Sequence, residues 1–289
     1  MKALIVGANG QIGRALVAVA PAEVRVSARD RAGLDLTRPD QVRRLLREEA
    51  PDVALNAAGY TAVDRAESEP EAARAVNEQG ARHLAEAAAE VGARLLHFST
   101  DYVFDGGLRR PYRAADPPHP LNVYGATKLA GERAVLETLG DRAAVLRTAW
   151  VYAPRGRNFL LTMLRLLGEQ ERVRVVSDQI GAPTSAASAA RAAWAMAVRD
   201  DLHGILHWTD DGVASWFELA LAIREEALRI GLLGEAAPVV PVATEDYPTP
   251  ACRPRYSVLD CSDAREALGL VPDHWRVELG RTLRVVADG

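Results

Sequence analysis

The chain runs to 289 residues, of which 48% are hydrophobic and 26% charged, with a formal net charge of −4. That is room for one large domain or two modest ones, and the charge balance argues against nucleic acid or an anionic membrane as a partner. No apolar run reaches the roughly 20 residues of a membrane span, and the only cysteines, Cys252 and Cys261, make neither a disulfide framework nor a zinc site.

Lys2-Ala-Leu-Ile-Val6 is a short apolar, β-branched run and reads as a buried strand. Met1 leads straight into it, leaving no room for a signal peptide, so a reducing cytoplasm is the expected location. Gly7-Ala-Asn-Gly10-Gln-Ile-Gly13 follows, and then Arg14 to Ala20 as a helix. Strand, glycine turn and helix in that order expose backbone N–H groups at a helix N-terminus, where a pyrophosphate binds. Gly7 permits the tight turn, Gly10 lets a phosphate approach the backbone, and Gly13 lets helix and strand pack closely. The spacing is G-x-x-G-x-x-G rather than G-x-G-x-x-G, and three such glycines also suit a plain turn.

Val24 to Ala28 reads as a second strand, and Pro39 as the first residue of a helix to Glu49. Asp52 to Asn56 is a third strand. Ser68 and Pro70 resemble the cap region of a long Ala-rich helix ending near Gly92. Arg94 to Ser99 is a fourth strand. A Pro-rich loop and a helix carrying Tyr124 and Lys128 come next, and Ala143 to Arg147 is a fifth strand. Repeated βα units imply a parallel, doubly wound sheet, whose ligands bind beyond the carboxyl ends of the strands. Gly10, Gly59, Thr100 and Trp150 all fall at those ends.

The second half is less regular. Asn158 to Leu167 reads as a helix, Val173 to Val176 as a strand, Ser177 to Thr184 as a polar turn segment and Ala186 to Val198 as a small-residue helix. Ser215 and Glu218 have capping-box spacing at the start of another helix. Pro238 to Pro254 is Pro-rich and reads as a surface loop.

Lysine stands only at positions 2 and 128, whereas arginine fills the other 33 of 35 basic positions. Position 128 therefore calls for a compact ammonium rather than a guanidinium. Tyr124 lies four residues earlier, one turn away on the same helix face. An ammonium beside a phenol favours the phenolate, which makes the pair a candidate acid/base unit. The same spacing also suits two ordinary surface neighbours.

The fingerprint, Thr100 at the end of the fourth strand, and Tyr124-x-x-x-Lys128 together resemble an extended short-chain dehydrogenase/reductase. Longer blocks resemble the dTDP-4-dehydrorhamnose reductase family over nearly the whole chain: Asn56 to Glu67, Ser99 to Gly106, Pro120 to Gly125, Arg147 to Tyr152, Asp178 to Thr184 and Tyr247 to Pro250. The resemblance implies an α/β fold. A Rossmann-type doubly wound sheet binds NAD(P) at 1–152, rejoined by part of 185–232, and a smaller C-terminal substrate-binding domain occupies mainly 153–289. It implies hydride transfer to C4 of dTDP-4-dehydro-β-L-rhamnose, giving dTDP-β-L-rhamnose in the last step of its synthesis. Tyr124 is then the general acid. Lys128 depresses the Tyr124 pKa and hydrogen-bonds the nicotinamide ribose. Thr100 holds the sugar oxygen, and Asp101 and Trp150 contact the sugar. Read alone, Thr100 suits a strand-end cap, Asp101 a turn and Trp150 a core aromatic.

For the cofactor, the resemblance assigns Gly10, Gln11 and Ile12 to the pyrophosphate, Gly7 and Gly13 to the same cofactor-binding turn, and Asp35 and Leu36 to the adenine. Gly59, Tyr60, Thr61 and Phe98 line the cleft. Arg29, with Arg31 close behind, suits a 2′-phosphate and favours NADPH; Asp30 between them suits a free ribose and NADH. Related dehydratases resemble one another in a Thr-Asp-Glu run, where this chain has Thr100-Asp101-Tyr102, so net reduction is expected. Two alternatives stay open: an epimerase of the same fold, and a non-catalytic subunit resembling the regulatory subunit of methionine adenosyltransferase. Some members resemble a magnesium-linked dimer with a Glu where this chain has Ala15. The expectation is therefore no metal, and a monomer or homodimer without that bridge.

Overall fold

A computed structural model describes all 289 residues. Its first half runs β1 (Lys2–Val6), α1 (Gln11–Ala18), β2 (Arg25–Arg29), α2 (Pro39–Glu49), β3 (Val53–Asn56), α3 (Val63–Ser68), α4 (Pro70–Arg74), α5 (Gly80–Val91), β4 (Arg94–Thr100), α6 (Val123–Leu139) and β5 (Ala143–Thr148). The second half begins with β6 (Val151–Tyr152), α7 (Phe159–Glu169), β7 (Val173–Val176), β8 (Ile180–Gly181), β9 (Thr184–Ser185), α8 (Ala186–Ala197) and β10 (Gly204–His207). It ends with β11 (Ala214–Ser215), α9 (Trp216–Arg229), β12 (Val239–Val242), α10 (Ser262–Leu268) and α11 (Trp275–Ala287).

Six strands form one sheet in the order β10-β5-β4-β3-β1-β2, every pair parallel. The central strands β4 and β5 are buried almost throughout, as a sheet covered on both faces requires. Alternate residues feed two cores. Ile5, Leu55, Leu96, Phe98 and Leu146 pack against α1 and α8. Leu4, Val6, Ala54, Leu95 and Ala143 pack under α2, α5 and α6. The chain leaves β1 for β2 on one side and returns for β3 on the other. That reversal opens a crevice at the carboxyl ends of β1 and β3.

A third core, built from α7, α9, α11 and β7, holds Leu160, Met163, Leu219, Ile223, Trp275 and Leu283. The segments that rejoin the sheet are α8 and β10, with Ala264 of α10 packed beside them. α9 packs in the third core, where Leu219 and Ile223 join residues of α7 and α11.

Two expectations need correction. The long helix from Pro70 to Gly92 starts and ends as read, with Pro70 at its first position and Gly92 left-handed at its end. Inside it, however, residues Ala75–Gln79 form a π-helical turn. The Pro-rich 238–254 segment is not all loop: β12 pairs in parallel with β7. Pro241 is tolerated because this two-stranded ladder has a free edge. The sixth strand, β10, was not read from the sequence, and neither were α10 and α11.

Candidate active site

The glycine turn after β1 is built by close approach. A Cβ on Gly13 would stand 2.1 Å from the Gly7 carbonyl oxygen. Gly7 itself has φ +85, and a Cβ there would meet Ala58 of the β3 turn at 2.6 Å. Gly10 is the N-cap of α1 and brings no capping side chain. The N–H groups of the first turn are thus left for a ligand, with the positive end of the helix dipole behind them. The Gln11 Oε1 atom is buried there without a partner. A dinucleotide pyrophosphate fits this cradle.

One cleft of ≈ 260 Å³ opens from the cradle over Asp30, Arg31, Asp35 and Leu36 on one side and Gly59 and Tyr60 on the other. Here the structure corrects the reading of Arg29. Its guanidinium turns away to Glu49, at 2.5 and 3.0 Å, and lines a separate groove beside Lys2 and Arg25. Arg31 lies beyond the end of β2, in the loop that borders the crevice. Arg31, highly exposed and no nearer than 4.0 Å to the Asp35 carboxylate, is the guanidinium in the cleft. Asp30 is already engaged: it accepts from Asn9 Nδ2 at 2.5 Å and from the N–H groups of Ala32 and Gly33. Asp35 accepts from the Thr37 N–H and hydroxyl, which hold its pKa low against the opposing effect of burial.

The β3 turn is held by a residue that sequence reading missed. Asn77, fully buried in the π-helical turn, accepts from the Tyr60 N–H at 2.7 Å, donates to the Tyr60 carbonyl at 3.1 Å and donates to Thr127 Oγ1 at 3.0 Å. It ties Gly59, Tyr60 and Thr61 to the helix that carries Tyr124 and Lys128. A buried Asn in an otherwise Ala-rich helical run was the available signal. Tyr60 adds a hydroxyl bond to Glu69 at 2.7 Å.

A second cleft continues from Gly10, Gln11 and Ile12 past Gly59 and Thr61 to Phe98, Thr100, Asp101, Tyr124, Lys128 and Trp150. Thr100, Tyr124 and Lys128 line this one cleft together. Asn122 caps α6 on the Gly125 N–H and donates to the Cys252 carbonyl, which fixes the first turn where Tyr124 sits. Thr100 accepts from the Tyr102 N–H and donates to Asp101 Oδ1 at 3.1 Å. Asp101 is itself buried, its other oxygen without a partner, and burial pushes its pKa up to about 6.

The electrostatics differ from the simple expectation. Burial raises the Tyr124 phenol to about 12, against the lowering influence of the neighbouring Thr100 hydroxyl. Lys128 is pushed down to about 8, again by burial, with Glu132 pulling the other way. The Lys128 ammonium is not aimed at the phenol. Nζ donates to the Phe98 carbonyl at 2.5 Å and lies 3.4 Å from His97 Nε2. Asn56 takes the Ala58 N–H on its oxygen, which leaves its amide to donate to His97 Nδ1 at 3.0 Å. Complete burial beside the Lys128 ammonium keeps the His97 imidazole neutral. Lys128 keeps N–H donors free for a ligand beside Gly59.

Trp150 borders the second cleft and stacks on Trp216. Beyond it a third cleft of ≈ 460 Å³ is lined by Tyr102, Phe159, Arg174, Trp216, Tyr247 and Arg253, with Arg253 paired to Asp64 at 2.8 Å. No group of three or more His, Cys, Asp or Glu side chains is arranged to hold a metal, and Ala15 offers no ligand.

Residues 1–287 match the family described as RmlD substrate binding domain. The chain is 44% identical to the dTDP-4-dehydrorhamnose reductase of Burkholderia thailandensis, over 98% of each chain. A crystal structure of the dTDP-4-dehydrorhamnose reductase of Bacillus anthracis in complex with NADP superposes with a TM-score of 0.93 at 36% identity, covering 98% of this chain and 99% of that one. The UDP-glucose 4-epimerase of Thermus thermophilus in complex with NAD shares the fold, with a TM-score of 0.84, but at 22% identity over 99% of each chain.

Proposed function

The chain belongs to the RmlD substrate binding domain family, that of the dTDP-4-dehydrorhamnose reductases, and from that premise we propose how its residues divide the work of reducing dTDP-4-dehydro-β-L-rhamnose to dTDP-β-L-rhamnose. The enzyme is an NADPH-dependent oxidoreductase of dTDP-rhamnose synthesis. The cradle of Gly7, Gly10, Gln11, Ile12 and Gly13 would hold the pyrophosphate of NADPH, with Asp35 and Leu36 at the adenine and Arg31 at the 2′-phosphate. NADPH supplies the hydride when bound.

The remaining chemistry is the chain's own. The ketone oxygen must gain a proton as its carbon gains hydride. Tyr124 donates it: a phenol held near 12 is fully protonated at neutral pH and therefore ready to act as an acid. Charge developing on the phenolate needs a cation nearby. Lys128 supplies it, reaching the ribose and, through it, the phenol, so its effect on Tyr124 is exerted as the reaction proceeds. Thr100 and Tyr124 set the carbonyl oxygen in place, while Asp101 and Trp150 bound the sugar. The third cleft, with Arg174 and Arg253, takes the nucleoside diphosphate.

The observation that carries this reading is the meeting of Thr100, Tyr124 and Lys128 in one cleft with the uncapped α1 N-terminus. The absence of a Glu after Asp101, together with the high identity to reductases, favours net reduction over the epimerase alternative. We place residues 1–152 with α8 and β10 as the cofactor domain and most of 153–289 as the substrate domain. The protein works in the cytoplasm, as a monomer or a homodimer without a magnesium bridge at Ala15. The test is stoichiometry. One NADPH is consumed per sugar reduced, and product formation with only catalytic NAD⁺ would sink the reading.

A further inference from the structure

Trp150 is one of two non-glycine residues with positive φ, at 48°, a conformation a bulky side chain rarely holds. Two neighbours hold its indole. Trp216 lies flat against it, ring centroids 3.5 Å apart and planes within 4°. Gly181 packs so closely that a Cβ there would stand 2.4 Å from the ring atom Cε2. One device places both neighbours. β8 and β11 pair antiparallel, with Gly181 opposite Ala214 and Ile180 opposite Ser215. The Ser215–Glu218 capping box then makes Trp216 the first residue of α9. Phe159 backs Trp216 at 4.7 Å.

The stack stands between two clefts. Trp150 faces the one with Thr100, Tyr124 and Lys128; Trp216 faces the one with Tyr102 and Arg253. A backbone strain persists only where its surroundings over-determine it, and such strain clusters at ligand clamps. We infer that Trp216 is a positioning residue for the reducible sugar: by stacking on Trp150 it holds that indole, carried on strained backbone, as the wall that sets the sugar before Tyr124, while the nucleotide part of the substrate crosses Trp216 into the neighbouring cleft. This rests on the reductase reading above.

The test compares wild type, Trp216→Ala, Trp216→Phe and Gly181→Ala with saturating NADPH and dTDP-4-dehydro-β-L-rhamnose. A misplacement of about 1 Å costs on the order of 100-fold in rate, so Trp216→Ala loses about that much in kcat/KM, with kcat falling as well as KM rising. NADPH binding, followed separately by fluorescence, stays at the wild-type value. Trp216→Phe keeps a ring on Trp150 and recovers most of the loss. Gly181→Ala, which displaces Trp150 through its other neighbour, reproduces it. The near-ultraviolet circular dichroism of the stacked indoles disappears in both Trp216 variants. Wild-type kcat/KM in folded Trp216→Ala and Gly181→Ala would overturn the inference, as would a loss of NADPH binding in step with turnover, which marks a merely structural role. An inactive wild type would instead fell the substrate reading, and the inference with it.

Discussion

Tyr124 and Lys128 have unequal tasks, and pH separates them. Tyr124, near 12, does not titrate in the working range. Lys128, near 8, does. The ammonium is the active form, so kcat/KM should fall as pH rises through about 8. In Lys128→Arg that alkaline limb should vanish along with most of the turnover, because a guanidinium stays charged but cannot occupy the compact site between the Phe98 carbonyl and His97. A variant with the same limb would show that the titrating group lies elsewhere. Tyr124→Phe should cut turnover roughly 10²- to 10⁴-fold and leave NADPH binding intact, measured by equilibrium titration. At the other end of the cleft, Arg31→Ala should weaken NADPH by roughly tenfold and NADH little. That is the low end of a charge-assisted hydrogen bond, as the exposure of Arg31 requires. Arg29→Ala should change neither, since its guanidinium serves Glu49. Equal losses for the two cofactors in Arg31→Ala would remove the 2′-phosphate assignment.

Among the elements, the π-helical turn within the α4–α5 run does what a regular helix there would not. An inserted residue changes the angular setting of the next turn, and Asn77 thereby points into the β3 turn and onto α6. Gly131 on α6 completes the fit: a Cβ there would lie 2.1 Å from the Asn77 carbonyl oxygen. Removing the Asn77 side chain leaves the Tyr60 N–H, a half-buried donor, without its acceptor, a loss of about 1 kcal/mol, the low end for an unsatisfied group. Asn77→Ala should lower the denaturation midpoint and weaken both cofactors, because the turn bearing Gly59, Tyr60 and Thr61 loosens. Chemical denaturation and titration would check this, and unchanged values in both would show the turn to be held by its other contacts.

For the whole molecule, the join between sheet and third core is polar and buried. Asp210 accepts from the Ser185 N–H at 2.8 Å, and Glu278 accepts from Ser185 Oγ at 3.0 Å and from Arg191 at 2.7 Å. Burial raises Asp210 to about 7, helped by Glu278 and opposed by Ser188, Ser185 and Arg191. A carboxyl raised in the folded state binds its proton more tightly there than when unfolded. Its stabilising share is therefore complete below the ordinary carboxylate range and is lost as pH rises towards 7. Asp210→Asn should remove this dependence. The Tm difference between about pH 5 and about pH 8 should shrink relative to wild type, and an unchanged difference would place the titration elsewhere.

Much of this protein was determined by short-range information. β1, the glycine turn, α2 with Pro39 at its start, the capping box of α9 and the Tyr124–Lys128 spacing are each properties of a few consecutive residues, legible because backbone conformation and helix periodicity act locally. The fold class followed, since repeated βα units admit few topologies. Tertiary structure alone decided which side chains face one another across elements. It turned Arg29 to Glu49 and left Arg31 in the cleft, and it brought Asn77 to Tyr60. It buried Lys128 and half-buried Tyr124, so that desolvation, not their mutual charge, sets their proton affinities. It also added β10 as a sixth strand and pressed Trp216 onto Trp150. Each of these depends on packing between residues far apart in the chain, where dielectric and close contact are properties of the assembled core.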